Sequence, residues 1–145
     1  MLPVPLAASL RAAGLRWSPA RGDRFVLPDR GMDEEVFVLS DMTVEVHDFP
    51  TGREIGFNGV TEWALDSVEQ DQALWLPYEG QLRDLLGGLF RRLERLDGSW
   101  VVTYTLLGEQ RRTEGAHPEE AYALALLDVL LEVGAGDQLA PVSAE

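Results

Sequence analysis

The stretch MTVEVHDFPTGREIGF, residues 42 to 57, constrains this chain more than any other. Met42, Val44 and Val46 alternate with Thr43, Glu45 and His47, the period of a strand with one face in a core and the other in water. Pro50 and Gly52 suit positions i+1 and i+3 of a type I turn, so a hairpin is expected there. Matching apolar to apolar sets Val46 opposite Ile55 and Val44 opposite Phe57, and brings His47 to Glu54 on the other face. A slip of one residue would turn both valines to solvent.

Around this hairpin the punctuation is regular. Pro5 to Ala13 reads as a short helix closed by Gly14, and Arg24 to Leu27, Glu35 to Ser40 and Ala73 to Leu76 read as extended segments. After Asn58-Gly59, Thr61 is placed to cap a short helix from Glu62 to about Val68. Leu82, Leu85, Leu86, Leu89, Phe90 and Leu93 recur with a helical period, so a long helix is expected from Tyr78 to Leu96, with Gly87-Gly88 as a bend or close contact. Asp97-Gly98 then turns the chain into an alternating strand, Trp100 to Leu107, with a second hairpin through Gly108 to Arg111–Glu114. A last helix opens at His117-Pro118-Glu119-Glu120 and is expected to stop at Val133, before Gly134. Between Ala121 and Val133 its only charges are Asp128 and Glu132, so it is deeply buried or shared with a partner.

These elements predict one α+β domain over residues 1–134: an antiparallel sheet of two hairpins or a meander, packed on one face by two amphipathic helices, with a short N-terminal helix. Residues 135–145 read as a disordered tail.

Charge and missing residue types narrow the chemistry. The 145 residues hold 25 Asp and Glu against 12 basic residues, a net charge of −13 that repels a nucleic-acid backbone. Every basic residue is arginine. Without lysine there is no Schiff base and no Walker A phosphate contact, and without cysteine no thiol nucleophile or thiolate metal ligand. No apolar run reaches the ~18 residues of a membrane span, and the first residues lack the pattern of a secretory signal, so a cytoplasmic protein is expected.

At RFVLPDR, DEEVFVLSDMTVEVHDFPTGREIGFNGVTEWALDSV and LWLP the chain resembles a group of small proteins of high-GC bacteria that have no assigned activity, over roughly residues 5 to 133. Some carry a pilus-assembly ATPase label. That chemistry needs a glycine loop ending in lysine, so the resemblance implies kinship and no activity.

Two constellations carry the candidate site residues. Glu45, His47 and Glu54 share a polar strand face with Asp41 and Thr43, where carboxylates and one imidazole suit a divalent metal or acid/base work. A solvated sheet face explains them more simply, since one histidine is a thin ligand set. Glu62 and Asp66 flank Trp63 on the short helix with Trp75 near, where they could frame a small pocket; a capped helix with a core tryptophan explains these more simply. Asp29, Asp33, Glu34 and Glu35 do not match a calcium-loop pattern, and no Gly-x-Ser-x-Gly elbow is present. Arg83, Arg91, Arg92 and Arg95 form the one basic patch, on the solvent side of the long helix, which suits an acidic partner or, more simply, is balanced by Asp84 and Glu94.

The expectation is a small non-enzymatic interaction or regulatory protein without catalytic residues, cofactor or resident metal, acting on a protein partner or as a homodimer. Its rivals are a metal-assisted hydrolase on Glu45, His47 and Glu54, and an acidic decoy for a nucleic-acid-binding protein.

Overall fold

The computed structural model describes residues 1–28, 32–39, 44–49, 52–57, 67–69 and 72–139, with backbone alone for 32–34, 44–49, 52–57, 67–69 and 135–139. Among the described residues, three α-helices and three antiparallel three-stranded sheets give an α+β class. Its contacts gather into two compact units: Trp17–Leu76, and Met1–Arg16 together with the chain from Pro77 onward.

The first of these is built from strands. β1 (Arg24–Leu27) lies between β2 (Met32–Val38) and β6 (Leu74–Trp75), so Phe25 faces Phe37 on one side and Trp75 on the other. Trp17, Phe25, Leu27, Leu39 and Ala73 form its buried cluster, with the Phe25 ring 5.4 Å from Trp17 and 5.5 Å from Phe37. Asp23 sits at the edge of this cluster as a turn-former: its buried carboxylate accepts the Trp17 indole N–H at 2.9 Å and the Ala20 amide at 3.0 Å. Those bonds satisfy a carboxylate that burial would otherwise penalise.

The second sheet of this unit runs β3 (Val44–Phe49), β4 (Gly52–Phe57), β5 (Ser67–Glu69). Its register is the one apolar matching dictates: Val44 opposite Phe57, Val46 opposite Ile55, His47 opposite Glu54. The helix expected from Glu62 to Val68 does not reach its end, because Ser67–Glu69 pairs with Glu54–Gly56 as β5; residues 61 to 66 lie outside the described residues.

The other unit is layered. α1 (Val4–Ala12) and α2 (Glu79–Leu86) both pack on α3 (Pro118–Leu139), which also packs on the meander β7 (Phe90–Leu96), β8 (Ser99–Leu106) and β9 (Glu109–Gly115). Covered by the sheet and by two helices, Ala121, Tyr122, Ala123, Ala125 and Leu126 are all buried. Of the two explanations for an all-apolar helix, burial holds for this half. Three alanines there let the neighbouring elements approach closely.

The long helix expected over Tyr78–Leu96 is instead α2 followed by a strand. Gly87 takes φ 56 and ψ −129, a backbone state that glycine enters without a Cβ penalty, and one 3₁₀ turn later Phe90 is extended. A bulge between Phe90 and Arg92 then inserts one residue, so that Phe90 and Leu93 both face the inner row, opposite Tyr104 and Val102. Their spacing of three imitates a helix. Of the residues expected on the helix's core side, Leu82 and Leu86 are buried, while Leu85 is exposed.

The hairpins of the meander turn on Asp97-Gly98 and Leu107-Gly108, with φ 51 at Asp97 and φ 54 at Leu107. Positive φ at both central positions is the type I′ pattern that fits the twist of paired strands. α3 starts at Pro118 as expected, but continues through Gly134 to Leu139. Gly115 sits where β9 meets this helix: a Cβ there would lie 2.5 Å from Glu120 Cβ and 2.9 Å from the Ala121 nitrogen.

Two substitutions with opposite signs follow. Leu107, 78% exposed, loses its left-handed strain in Leu107→Asn, which should raise the unfolding free energy by about 1 kcal/mol. Gly115→Ala should lower it by about 1–3 kcal/mol through the clash with α3. Urea denaturation of both variants checks the pair.

Candidate functional site

The sequence pointed to the β3–β4 hairpin, and the backbone carries that grouping further. His47 lies opposite Glu54, and Glu54 lies opposite Glu69 of β5, so the three share one row across three strands, with Glu45 in the next register position but one. Directly opposed residues in antiparallel strands share a face. Glu69 was missed in the sequence because the chain up to about Val68 reads as a short helix, with no strand expected to pair with β4 there. Glu62, Trp63 and Asp66, like Asp41 and Thr43, lie outside the described residues.

A polar cluster that the sequence did not assemble lies between the meander and α3. Tyr104 of β8 donates its hydroxyl proton to Asp128 Oδ2 at 2.5 Å. Arg111 of β9, directly opposite Tyr104, donates through Nη1 to both Asp128 oxygens at 2.9 and 3.1 Å. The same nitrogen stands 3.5 Å from Glu132, and Nε donates to Glu109 at 3.1 Å. Two residues further along β9, Thr113 donates to the Ala121 carbonyl at 2.6 Å, fixing the first turn of α3 on β9. The Phe90 and Tyr122 rings, 5.5 Å apart, close the apolar side.

The electrostatics follow from this geometry. Burial, then the hydrogen bond to Asp128 and its charge, push the Tyr104 hydroxyl well above the ordinary tyrosine range. Arg111 is held still more firmly protonated, mainly by its bond to Asp128. Tyr122 is also pushed up, first by burial. Each proton in the cluster is therefore locked in place at neutral pH. A group tuned for acid or base catalysis would exchange its proton near the working pH, and none of these does. The cluster pins α3 to the sheet. Its only sequence signal was Asp128, a charge standing inside an apolar helix.

The arginine patch is dispersed. Arg83 lies on α2 and the other three on β7, where Arg91 donates to the Gly88 carbonyl at 2.7 Å, Arg92 pairs with Glu94 at 2.7 Å, and Arg95 lies 5.5 Å from the centre of the Trp100 ring. The Arg92–Glu94 pair is the local balance expected of that patch.

A third feature is apolar. Leu124 and Leu131 of α3 are exposed, Leu127 between them is half-buried, and Val133 is 54% exposed. At 100° per residue, Leu124, Leu127 and Leu131 line one stripe of the helix. Among the described residues no helix is long and apolar enough to cross a membrane.

No family model matches the chain, and no curated protein or solved structure matches it.

Removing the Tyr104 hydroxyl should cost about 1–2 kcal/mol, because the phenol's bond to a charged partner is lost and Asp128 keeps only Arg111. Folding raises the Tyr104 pKa, so its stabilisation is complete below about pH 10, the ordinary tyrosine value, and is lost as the pH rises beyond it. Denaturation across alkaline pH should therefore show a decline that is shallower in Tyr104→Phe than in the parent.

Proposed function

We propose that this chain is a small non-enzymatic interaction or regulatory protein of the cytoplasm, and that the stripe of α3 running from Leu124 to Leu131 is the surface it offers to a protein partner. The observation that carries this reading is the contrast along one helix. Ala121 to Leu126 are buried apart from Leu124, whereas Leu131 and Val133 remain more than half exposed on a segment with no need of water. Scattered exposed leucines are ordinary, but Leu124 and Leu131, exposed on one stripe with the half-buried Leu127 between them, on a helix otherwise buried from Ala121 to Leu126, mark an interaction surface.

A second reading, a metal-assisted hydrolase, draws support from the row His47, Glu54, Glu69 with Glu45 nearby. One imidazole and several carboxylates suit a manganese or zinc ion that activates water.

Capture from the native cell separates the readings when done with the parent chain and with Leu124→Asp/Leu131→Asp. The interaction reading expects one stoichiometric companion that the double variant loses; a companion retained by the variant counts against this surface. Thermal shift with manganese, zinc and calcium tests the rival. A rise of several degrees that vanishes in His47→Ala would favour the hydrolase, and no rise is expected here.

A further inference from the structure

We infer that the Leu124–Leu127–Leu131 stripe of α3 docks a basic amphipathic protein segment, a helix presenting leucine-sized anchors flanked by lysine or arginine. This rests on the interaction reading above and gives its partner a chemistry.

The apolar part of the match is set by spacing. Leu124 and Leu131 are seven residues apart, about 10 Å along the axis at 1.5 Å per residue, the distance between anchors at i and i+7 on a second helix laid alongside. The half-buried Leu127 fills the interval between them.

The polar part is set by charge. α3 carries Glu119, Glu120, Asp128, Glu132 and Asp137 and not one basic residue. Beside the stripe, Arg111 is a single positive charge set against three carboxylates, Glu109, Asp128 and Glu132. That flank keeps an excess of negative charge even though Arg111 is fully engaged. A partner helix with lysines or arginines beside its leucines would meet opposite charge at the rim of an apolar contact, the arrangement that gives both fast association and specificity.

The same charges argue against two other occupants. A second copy laid α3 against α3 would bring acid to acid, with no basic residue on either helix to relieve it, and a net charge of −13 on each chain. An anionic membrane surface would be met by a helix lacking the lysines and arginines that interfacial helices use.

The test uses the full chain and two leucine–lysine peptides of equal composition, one with leucines at i, i+3 and i+7, the other scrambled to destroy the apolar face. Fluorescence anisotropy at physiological salt should show the patterned peptide binding about tenfold more tightly than the scrambled one. Leu124→Ser/Leu131→Ser should weaken it by about tenfold or more, as expected for losing two leucine contacts. These positions are exposed, and circular dichroism of the variant verifies the fold. Equal binding of both peptides, unaffected by the variant, would overturn the inference by reducing it to attraction between opposite net charges.

Two companion measurements name the alternatives. Light scattering that finds a dimer dissolved by Leu131→Ser would make a second copy the occupant, overturning this inference while leaving the interaction reading intact. Sedimentation with phosphatidylglycerol vesicles, if dependent on the stripe, would overturn it in favour of a membrane surface. Should peptide, copy and vesicle all ignore the stripe, the inference falls, while the interaction reading is decided separately by capture from the cell with the Leu124→Asp/Leu131→Asp variant.

Discussion

The burial of one helix between a sheet and two other helices is the constraint on which the helix-containing unit depends. α3 is apolar on nearly every side, and only contacts on more than one side make that composition tolerable in water. Alanines at 121, 123 and 125 bring the layers close, while Tyr122 and Leu126 supply the bulk. An apolar rod has little to fix its rotation or its position along the axis. Here polar contacts do so: Tyr104 and Arg111 hold Asp128, and Thr113 holds the Ala121 carbonyl. Hydrogen bonds of this kind contribute modestly to net stability but cost heavily if one partner is left alone, so alternative placements of the helix are penalised.

That arrangement also separates the two halves of the helix by role. The first half is committed to the core, and the Tyr104 hydroxyl and Arg111 guanidinium that hold Asp128 keep their protons at neutral pH. The second half runs on with exposed leucine and valine.

What could be read from the sequence depended on whether each local signal had a single structural meaning. The β3–β4 register was legible because only one pairing matched Val44 and Val46 with Phe57 and Ile55. The start of α3 was legible because proline and two glutamates suit only a helix N-terminus. β7 was not legible, since its bulge puts Phe90 and Leu93 three apart on one face, a spacing shared with helices. The end of α3 was misread because Gly134, a common helix stop, here sits inside a helix that continues. The Tyr104–Asp128–Arg111 cluster joins residues up to 24 apart in sequence, and no local pattern announces a contact of that range. Likewise Glu69 joined His47 and Glu54 only once β5 was seen to pair with β4.

Native-state amide hydrogen exchange along α3 tests the central claim most directly. If the helix is core at its first half and open at its second, the amides of Ala121 to Leu126 exchange only with global unfolding, and protection falls away from Leu131 onward. Equal, maximal protection from Ala121 through Val133 in the isolated chain would mean that the stripe is already covered, and would contradict the account.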